Sequence, residues 1–324
     1  MKLLNLPPGV SDARPGAAPR RPRRIWAFGG GKGGIGKSVL AASVGWELAR
    51  MGRQVVLVDA DLGGANLHIR LGLPPPPRTL GDFIRGRSSS LEDVLTSTPI
   101  RGLRLISGAA DLLSAPNISP LQKVRVLNEI RALNADMVLL DLGAGTSDNV
   151  LDFFLLADVS ILTVVPEPAS VQNGYRFIKS ALYRRLRAAA PTTAVRALVD
   201  SALDPKGPFG IRTPADLIAR VAAEDSQAAA VLRVEVATFQ PCFVVNEVRN
   251  AAEVAVGHQL AATCVRHLGV PASYAGFIVH DDAVWQAVRR GRLFMTDAPT
   301  SRAAEGIRQL TRGLERGESL GQGY

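Results

Sequence analysis

The chain has 324 residues, 47% of them hydrophobic but only 5% aromatic, enough for one large aliphatic core and too apolar for a disordered polymer. Its formal charge is +9, and its cysteines, Cys242 and Cys264, form no C-x-x-C pair, which argues against a disulfide framework. No apolar run reaches bilayer length, since the longest, Phe153 to Val165, carries Asp158. Pro7, Pro8 and Gly9 break the short apolar start, unlike a secretory signal, so the expectation is a cytoplasmic, reduced protein.

The first 23 residues are rich in proline and glycine, lack a helical or strand period, and read as a disordered basic arm. Up to residue 24 the cations are Lys2, Arg14, Arg20, Arg21, Arg23 and Arg24 against one acid, Asp12, which accounts for more than half of the net charge. Two readings stand for this arm: a solvated tail, or a segment that contacts nucleic acid, acidic lipid or an acidic protein.

From residue 24 to 316 the pattern is that of a single domain in which strands and helices alternate, with a flexible tail at 317–324. Ile25 to Phe28 reads as a strand and Val39 to Met51 as a helix. Between them GKGGIGKS, Gly31 to Ser38, fits the phosphate-binding pattern G-x-x-x-x-G-K-[ST] in the strand–loop–helix context that gives it meaning. Gln54 to Asp59 and Leu103 to Ser107 are the next strands, separated by a Pro-rich turn (Pro74 to Pro77) and short amphipathic pieces near Leu80 and Leu91. Ser119 with Pro120 caps a helix running to about Leu133. Asp136 to Asp141 and Ala157 to Val165 are buried strands, the latter followed by a helix over Ser170 to Ala189. Residues 201–241 break the alternation; they hold a polar loop, Asp204 to Arg212, and a capped helix from Thr213–Pro214, and read as a helical insertion on the sheet's edge. Phe243 to Asn246 and Tyr274 to Val279 are the last strands. The alternation predicts an α/β fold, a doubly wound, mostly parallel sheet with its ligand at the carboxyl ends of the strands.

The loop's chemistry follows from its residues. Successive backbone N–H groups wrap a phosphate where side chains are absent, and Gly29, Gly30, Gly31, Gly33, Gly34 and Gly36 remove them. The helix behind turns its partial positive end to the anion. Lys37 supplies a full charge for the β- and γ-phosphates, and the Ser38 hydroxyl suits Mg2+. Two strands end in acids at the same edge: Asp59, with Asp61 two residues on, and Asp141, followed by glycines that let a backbone N–H approach the terminal phosphate.

These residues carry a family resemblance. The loop resembles the deviant Walker A motif, K-G-G-x-G-K-[ST], of the MinD/ParA class of ATPases. VDADLGGANLH, Val58 to His68, is similar to their switch I, and DLGAG, Asp141 to Gly145, to their switch II. The likeness continues through Val164 to Leu182 and the stretch after Asn246, covers roughly Arg24 to Leu314, and within the class looks most like the FlhG/FleN branch. The resemblance implies a P-loop fold, ATP and Mg2+ as ligands, and a slowly hydrolysing, partner-stimulated dimer switch that positions a flagellum, division site, or polar or nucleoid-bound cargo. The alternative is an ATP-dependent scaffold with negligible hydrolysis. It also implies roles. Gly31, Lys32, Gly33, Gly34, Ile35, Gly36, Lys37, Ser38 and Val39 would line the phosphates, with Lys37 acting in its own subunit and Lys32 crossing a homodimer to the partner's phosphates. Asp61 would orient the attacking water; Ser38, Asp59 and Asp141 would serve the metal.

Asn246, Arg249 and Ile278 are the candidates around the base. Guanine readers place an acidic residue three positions after such an asparagine; Arg249 stands here and has no acceptor, which points to adenine. The loop Ile278 to Asp282 is the second base contact by resemblance, although the family often has proline where this chain has Val279. His68, His258, His267 and His280 show no metal-ligand spacing. Arg176, Lys179, Arg184, Arg185 and Arg187 share one helix, and Arg289, Arg290 and Arg292 cluster; ParA-like relatives hold non-specific DNA through such faces. MinD-like relatives end in a membrane-binding helix, but Ile307 to Tyr324 has no Phe or Trp and makes a poor one. DNA, membrane and protein all stay open as the attachment surface, membrane being the weakest.

Overall fold

A computed structural model describes residues 23–108, 118–203 and 211–317. The basic arm up to residue 22, the tail beyond Gly317 and most of the 204–212 loop lie outside the described residues.

The chain forms β1 (Arg24–Gly29), α1 (Lys37–Arg50), β2 (Val55–Ala60), α2 (Leu67–Arg70), α3 (Leu80–Ile84), β3 (Thr96–Ser97) and β4 (Leu103–Ile106). It continues with α4 (Pro120–Ala132), β5 (Met137–Leu142), α5 (Asp148–Leu156), β6 (Val159–Val164), α6 (Pro168–Ala189), α7 (Thr193–Ser201), α8 (Pro214–Ala222) and α9 (Ser226–Thr238). The last elements are β7 (Cys242–Val248), α10 (Ala251–Leu268), β8 (Ser273–Val279), α11 (Asp282–Arg289), α12 (Phe294–Asp297) and α13 (Arg302–Arg316). The eight strands form one sheet in the order β3-β4-β2-β5-β1-β6-β7-β8, parallel except for the β3 edge. This is the doubly wound sheet that the alternation predicts. Because β2 and β6 lie on opposite sides of β1, the carboxyl end of β1 is the switch point where such folds take their ligands.

Alternate residues of each strand feed opposite faces, which is why the strands read as unbroken apolar runs. Ile25, Ala27, Val56, Val58, Val138 and Leu140 pack beneath α4, α5, α6 and α10. Trp26, Phe28, Val55, Leu57 and Leu139 pack beneath α1 and α13. Caps set the helix starts: Ser119 accepts from the Gln122 N–H and Thr213 from the Asp216 N–H, each with proline as the first helical residue.

Three features differ from the sequence reading. Helix α5 was hidden because its run DNVLDFFLL merges with the apolar strand that follows. The helices around the 201–241 segment begin earlier, at α7, and α7 and α9 pack against α6. The two-residue β3 and the four-residue α2 are too short to show a period. In keeping with the sequence reading of a poor membrane helix, Leu310 and Leu314 of α13 are buried against the core, so that helix's apolar stripe is already occupied within the fold.

Close packing makes one glycine a sensitive probe. A Cβ on Gly257 of α10 would overlap the ring of Tyr274, which is buried and holds His258 edge-on at 4.6 Å. Gly257→Ala is expected to cost about 2 kcal/mol of stability, read as a lower denaturation midpoint. An unchanged midpoint would mean that the ring moves freely.

Candidate nucleotide site

Helix α1 begins at Lys37 without a side-chain cap, so the N–H groups of its first turn face the loop. Gly36 leads into it at φ 87° and Gly34 lies at φ 79°, a left-handed region that side chains resist. The loop is pressed on three sides. A Cβ on Gly31 would stand 2.5 Å from the Asn173 carbonyl of α6, one on Gly30 would stand 2.5 Å from Ile35 Cδ1, and one on Gly36 would overlap the Asn246 amide. The glycines are therefore demanded by neighbouring backbone and side chains as well as by the anion. Lys37 is 8% exposed, and its Nζ donates to the Lys32 carbonyl at 3.4 Å. Burial lowers the Lys37 pKa, and the charges of Asp141 and Asp61 act in the opposite direction.

The predicted acids converge on this ammonium. Asp59 of β2 and Asp141 of β5 are register partners at the carboxyl ends of adjacent strands and are almost wholly buried. Burial, then the Asp141 charge, pushes Asp59 up, against hydrogen bonds from the N–H groups of Leu67 (2.9 Å) and Asp61 (3.3 Å). Burial pushes Asp141 up too, opposed by the Ser38 hydroxyl and by the charges of Lys37 and Arg70. Asp61 is half-buried and accepts from the Gly63 N–H at 3.3 Å. A Cβ on Gly143 would sit 3.1 Å from Asp61 Oδ1, so this glycine lets the carboxylate lie flush against the β5 loop. The same loop meets the phosphate loop where the Gly145 N–H donates to the Gly30 carbonyl at 3.3 Å.

At the rim, Lys32 is exposed and its Nζ lies 3.3 Å from Glu167. Glu167 was not singled out from sequence, although it follows β6 at the carboxyl edge just as Asp59 and Asp141 end their strands. On the base side, β7 carries a register shift at Glu247, a non-glycine residue at φ 61°. The irregularity accompanies an Asn246 side chain aimed at the phosphate loop, where its amide donates to the Ile35 carbonyl at 3.0 Å. Arg249 lies 3.4 Å from His280, which joins the loops after β7 and β8. Ile278 is 4% exposed and packs into the core beside Gly306, so a base contact there belongs to backbone rather than side chain. Gly33 and Gly34 are exposed and Val39 is half-buried.

The basic helix face is changed most by the structure. On α6, Arg184 is clamped by Asp148 and Asp152, Arg185 by Glu235 and Arg187 by Asp200. Arg290 and Arg292 share Asp297, and Arg289 stacks on Trp285. The acids that neutralise these arginines are distant in sequence for α6, so the run of arginines there read as free charge. Among the described residues no group of three or more His, Cys, Asp or Glu side chains is placed to hold a metal by itself. A metal here would need oxygen ligands from a bound phosphate and water, with Ser38 and the two buried acids nearby; Mg2+ is bound in that manner.

A P-loop at the switch point of a parallel sheet, backed by two buried acids, defines a nucleotide-binding α/β protein. The chain belongs to the CobQ/CobB/MinD/ParA nucleotide binding domain family, whose pattern matches residues 26–294. It is 39% identical over 160 residues to the antiactivator FleN of Pseudomonas aeruginosa, a match covering 49% of this chain and 56% of FleN. It is 31% identical over 160 residues to an uncharacterized ATP-binding protein of Methanocaldococcus jannaschii, covering 49% of this chain and 59% of that protein. The chain thus spans a little over half the length of these curated relatives. The solved septum site-determining protein MinD of Pyrococcus horikoshii, complexed with Mg-ADP, superposes with a TM-score of 0.63 at 20% identity, covering 93% of this chain and 100% of that one; this likeness shows the fold.

Proposed function

We propose that the chain binds ATP with Mg2+, pairs with a second copy in that state, and hydrolyses the nucleotide slowly as a switch that positions a cellular structure such as a flagellum or division site. The observation that carries this reading is the unlike treatment of the two loop lysines. Lys37 is buried beside Asp61 and Asp141, where a charge serves a phosphate bound in the same subunit. Lys32 is exposed at the rim, where its ion pair with Glu167 is open to solvent and therefore a weak tie that the phosphates of a second molecule can replace. The family supports nucleotide binding, and the relatives' names, an antiactivator and an ATP-binding protein, support ATP and a regulated protein partner.

Ser38, Asp59 and Asp141 fit Mg2+: all are hard oxygen donors, and Asp141 Oδ1 is buried with no hydrogen-bond partner among the described residues. When bound, the ion neutralises charge on the phosphate oxygens. The N–H groups of the loop and Lys37 hold and orient the phosphates. Asp61, kept against Gly143, orients a water toward the terminal phosphate. Lys32 from the partner copy adds charge that exists at the site only in the pair, so loss of the terminal phosphate weakens the pairing. An activating partner protein would raise the rate, and a cytoplasmic protein of this type would attach to its target through DNA, membrane or protein. Because Arg184 and Arg185 are committed to Asp148, Asp152 and Glu235, these two arginines contribute little to a DNA surface.

Sedimentation of Asp61→Ala tests the reading. The variant is expected to be a dimer with ATP and Mg2+ and a monomer with ADP, while the wild type releases phosphate slowly and the variant does not. A monomer with both nucleotides would remove the switch; a dimer with ATP but no phosphate release by the wild type would favour the scaffold.

A further inference from the structure

We propose that Arg70 is the positioning residue through which the segment Asp61 to Gly72 distinguishes a nucleoside triphosphate from a diphosphate. The inference rests on the nucleotide reading above and deepens it.

Helix α2 is fixed at its base. Leu67 is wholly buried and its N–H donates to the buried Asp59 carboxylate at 2.9 Å. On the far side the segment is wedged against the turn after α11, where a Cβ on Gly72 would stand 3.2 Å from the Gly291 carbonyl. Yet the polar atoms this short helix carries inward are unfilled. Arg70 Nε and His68 Nδ1 are buried and have no hydrogen-bond partner among the described residues.

The contrast with three other half-buried arginines is informative. Arg53 is paired with Glu315, Arg184 with Asp148 and Asp152, and Arg185 with Glu235. Those three have carboxylates of their own, and the half-buried Arg24 has the Glu315 carbonyl. Among the described residues Arg70 has no such carboxylate; its charge acts instead on Asp141, whose Oδ1 is likewise unpartnered among them. A guanidinium offers five N–H donors and no acceptor, so the missing partner is an anion. Diphosphate oxygens are served by the loop and Lys37. The acidic, metal-facing end of the site, between Asp61 and Asp141, is where a terminal phosphate adds negative charge. Arg70 would gain its partner only when that charge is present, and the gain would order the segment that begins at Asp61.

The test uses the full chain and three proteins: wild type, Arg70→Gln and Arg70→Lys. Each is titrated, with Mg2+, with a fluorescent ADP and with a fluorescent non-hydrolysable ATP analogue. For Arg70→Gln the ATP analogue is expected to weaken about tenfold and ADP by less than about twofold, the loss of one charge-assisted contact; Arg70→Lys is expected to recover part of the loss. Amide exchange across Asp61 to Gly72 should slow with the analogue in the wild type and not in Arg70→Gln. A purely structural Arg70 would weaken both nucleotides alike, and an unchanged ratio of the two affinities overturns the proposal. Wild-type protein that binds neither nucleotide removes the underlying reading, and Arg70's role with it.

Discussion

Lys37→Ala is expected to lower ATP affinity by on the order of 100- to 1000-fold, the value of about 3–4 kcal/mol of charge-assisted contact in a partly dry site. Three features set that magnitude. The ammonium is buried, so solvent screens it poorly. It lies between the glycine loop and two carboxylates, Asp141 and Asp61, whose repulsion of a triphosphate it offsets. It stands at the first residue of α1, where the helix end reinforces its charge. Titration with a fluorescent ATP analogue measures the effect, with the melting temperature as control. An affinity within about tenfold of wild type would mean that the loop backbone alone holds the phosphates. Lys32→Ala provides the contrast: the exposed lysine should leave monomer affinity nearly unchanged and abolish ATP-dependent pairing.

The second large effect is on stability. Asp59→Asn is expected to raise the melting temperature of the nucleotide-free protein at pH 8, by about 5 °C for a gain of about 2 kcal/mol. Burial, with the neighbouring Asp141, pushes the Asp59 carboxyl from 3.8 up to about 8. Below the unfolded value the group is protonated in both states and imposes no penalty. As pH rises from there through the folded value, the unfolded chain ionises first, and the folded state loses stability progressively. Asparagine removes that loss and keeps an oxygen for the Leu67 N–H. The gap between the two proteins should therefore be smaller in melts at pH 5 than in melts at pH 8. Mg2+ with nucleotide should narrow the gap, because a cation compensates the wild-type charge and not the amide. Identical melts of the two proteins at pH 8 would show that Asp59 is stabilised by contacts other than those described.

Much of the site was legible because its parts are local or end-of-strand. Gly31 to Ser38 is contiguous, and the rule that ligands meet the carboxyl ends of parallel strands was enough to bring in Asp59, Asp61 and Asp141. What escaped depends on partners far away in the chain. Glu167 meets Lys32 across 135 positions, and Asn173 walls the loop at Gly31 through its backbone, which no side-chain pattern records. The aim of Asn246 goes with a register shift at a non-glycine residue, Glu247, whose positive φ has no compositional marker. Charge was misread for the same reason. The arginines of α6 are adjacent along one helix, but the carboxylates that hold them come from α5, α7 and α9. In Arg70 the problem is inverted: nothing in LHIR hints that its third neighbour after Leu67 would be left without an acid, because absence of a partner is a property of the fold.

Arg24, the first residue of β1, donates to the Glu315 carbonyl near the end of α13, and Arg53 at the start of β2 is paired with the Glu315 side chain. The first strand and the last helix among the described residues are thus stitched together at the amino ends of the strands, a full strand length away from the phosphate loop. This makes the domain a natural candidate for circular permutation, with a short linker joining residues 24 and 316 and new ends opened at the exposed turn around Gly86. It also means that a fluorescent protein or affinity tag fused directly to residue 24 or residue 316 would hang from the base of the molecule and leave its nucleotide-facing crown unobstructed.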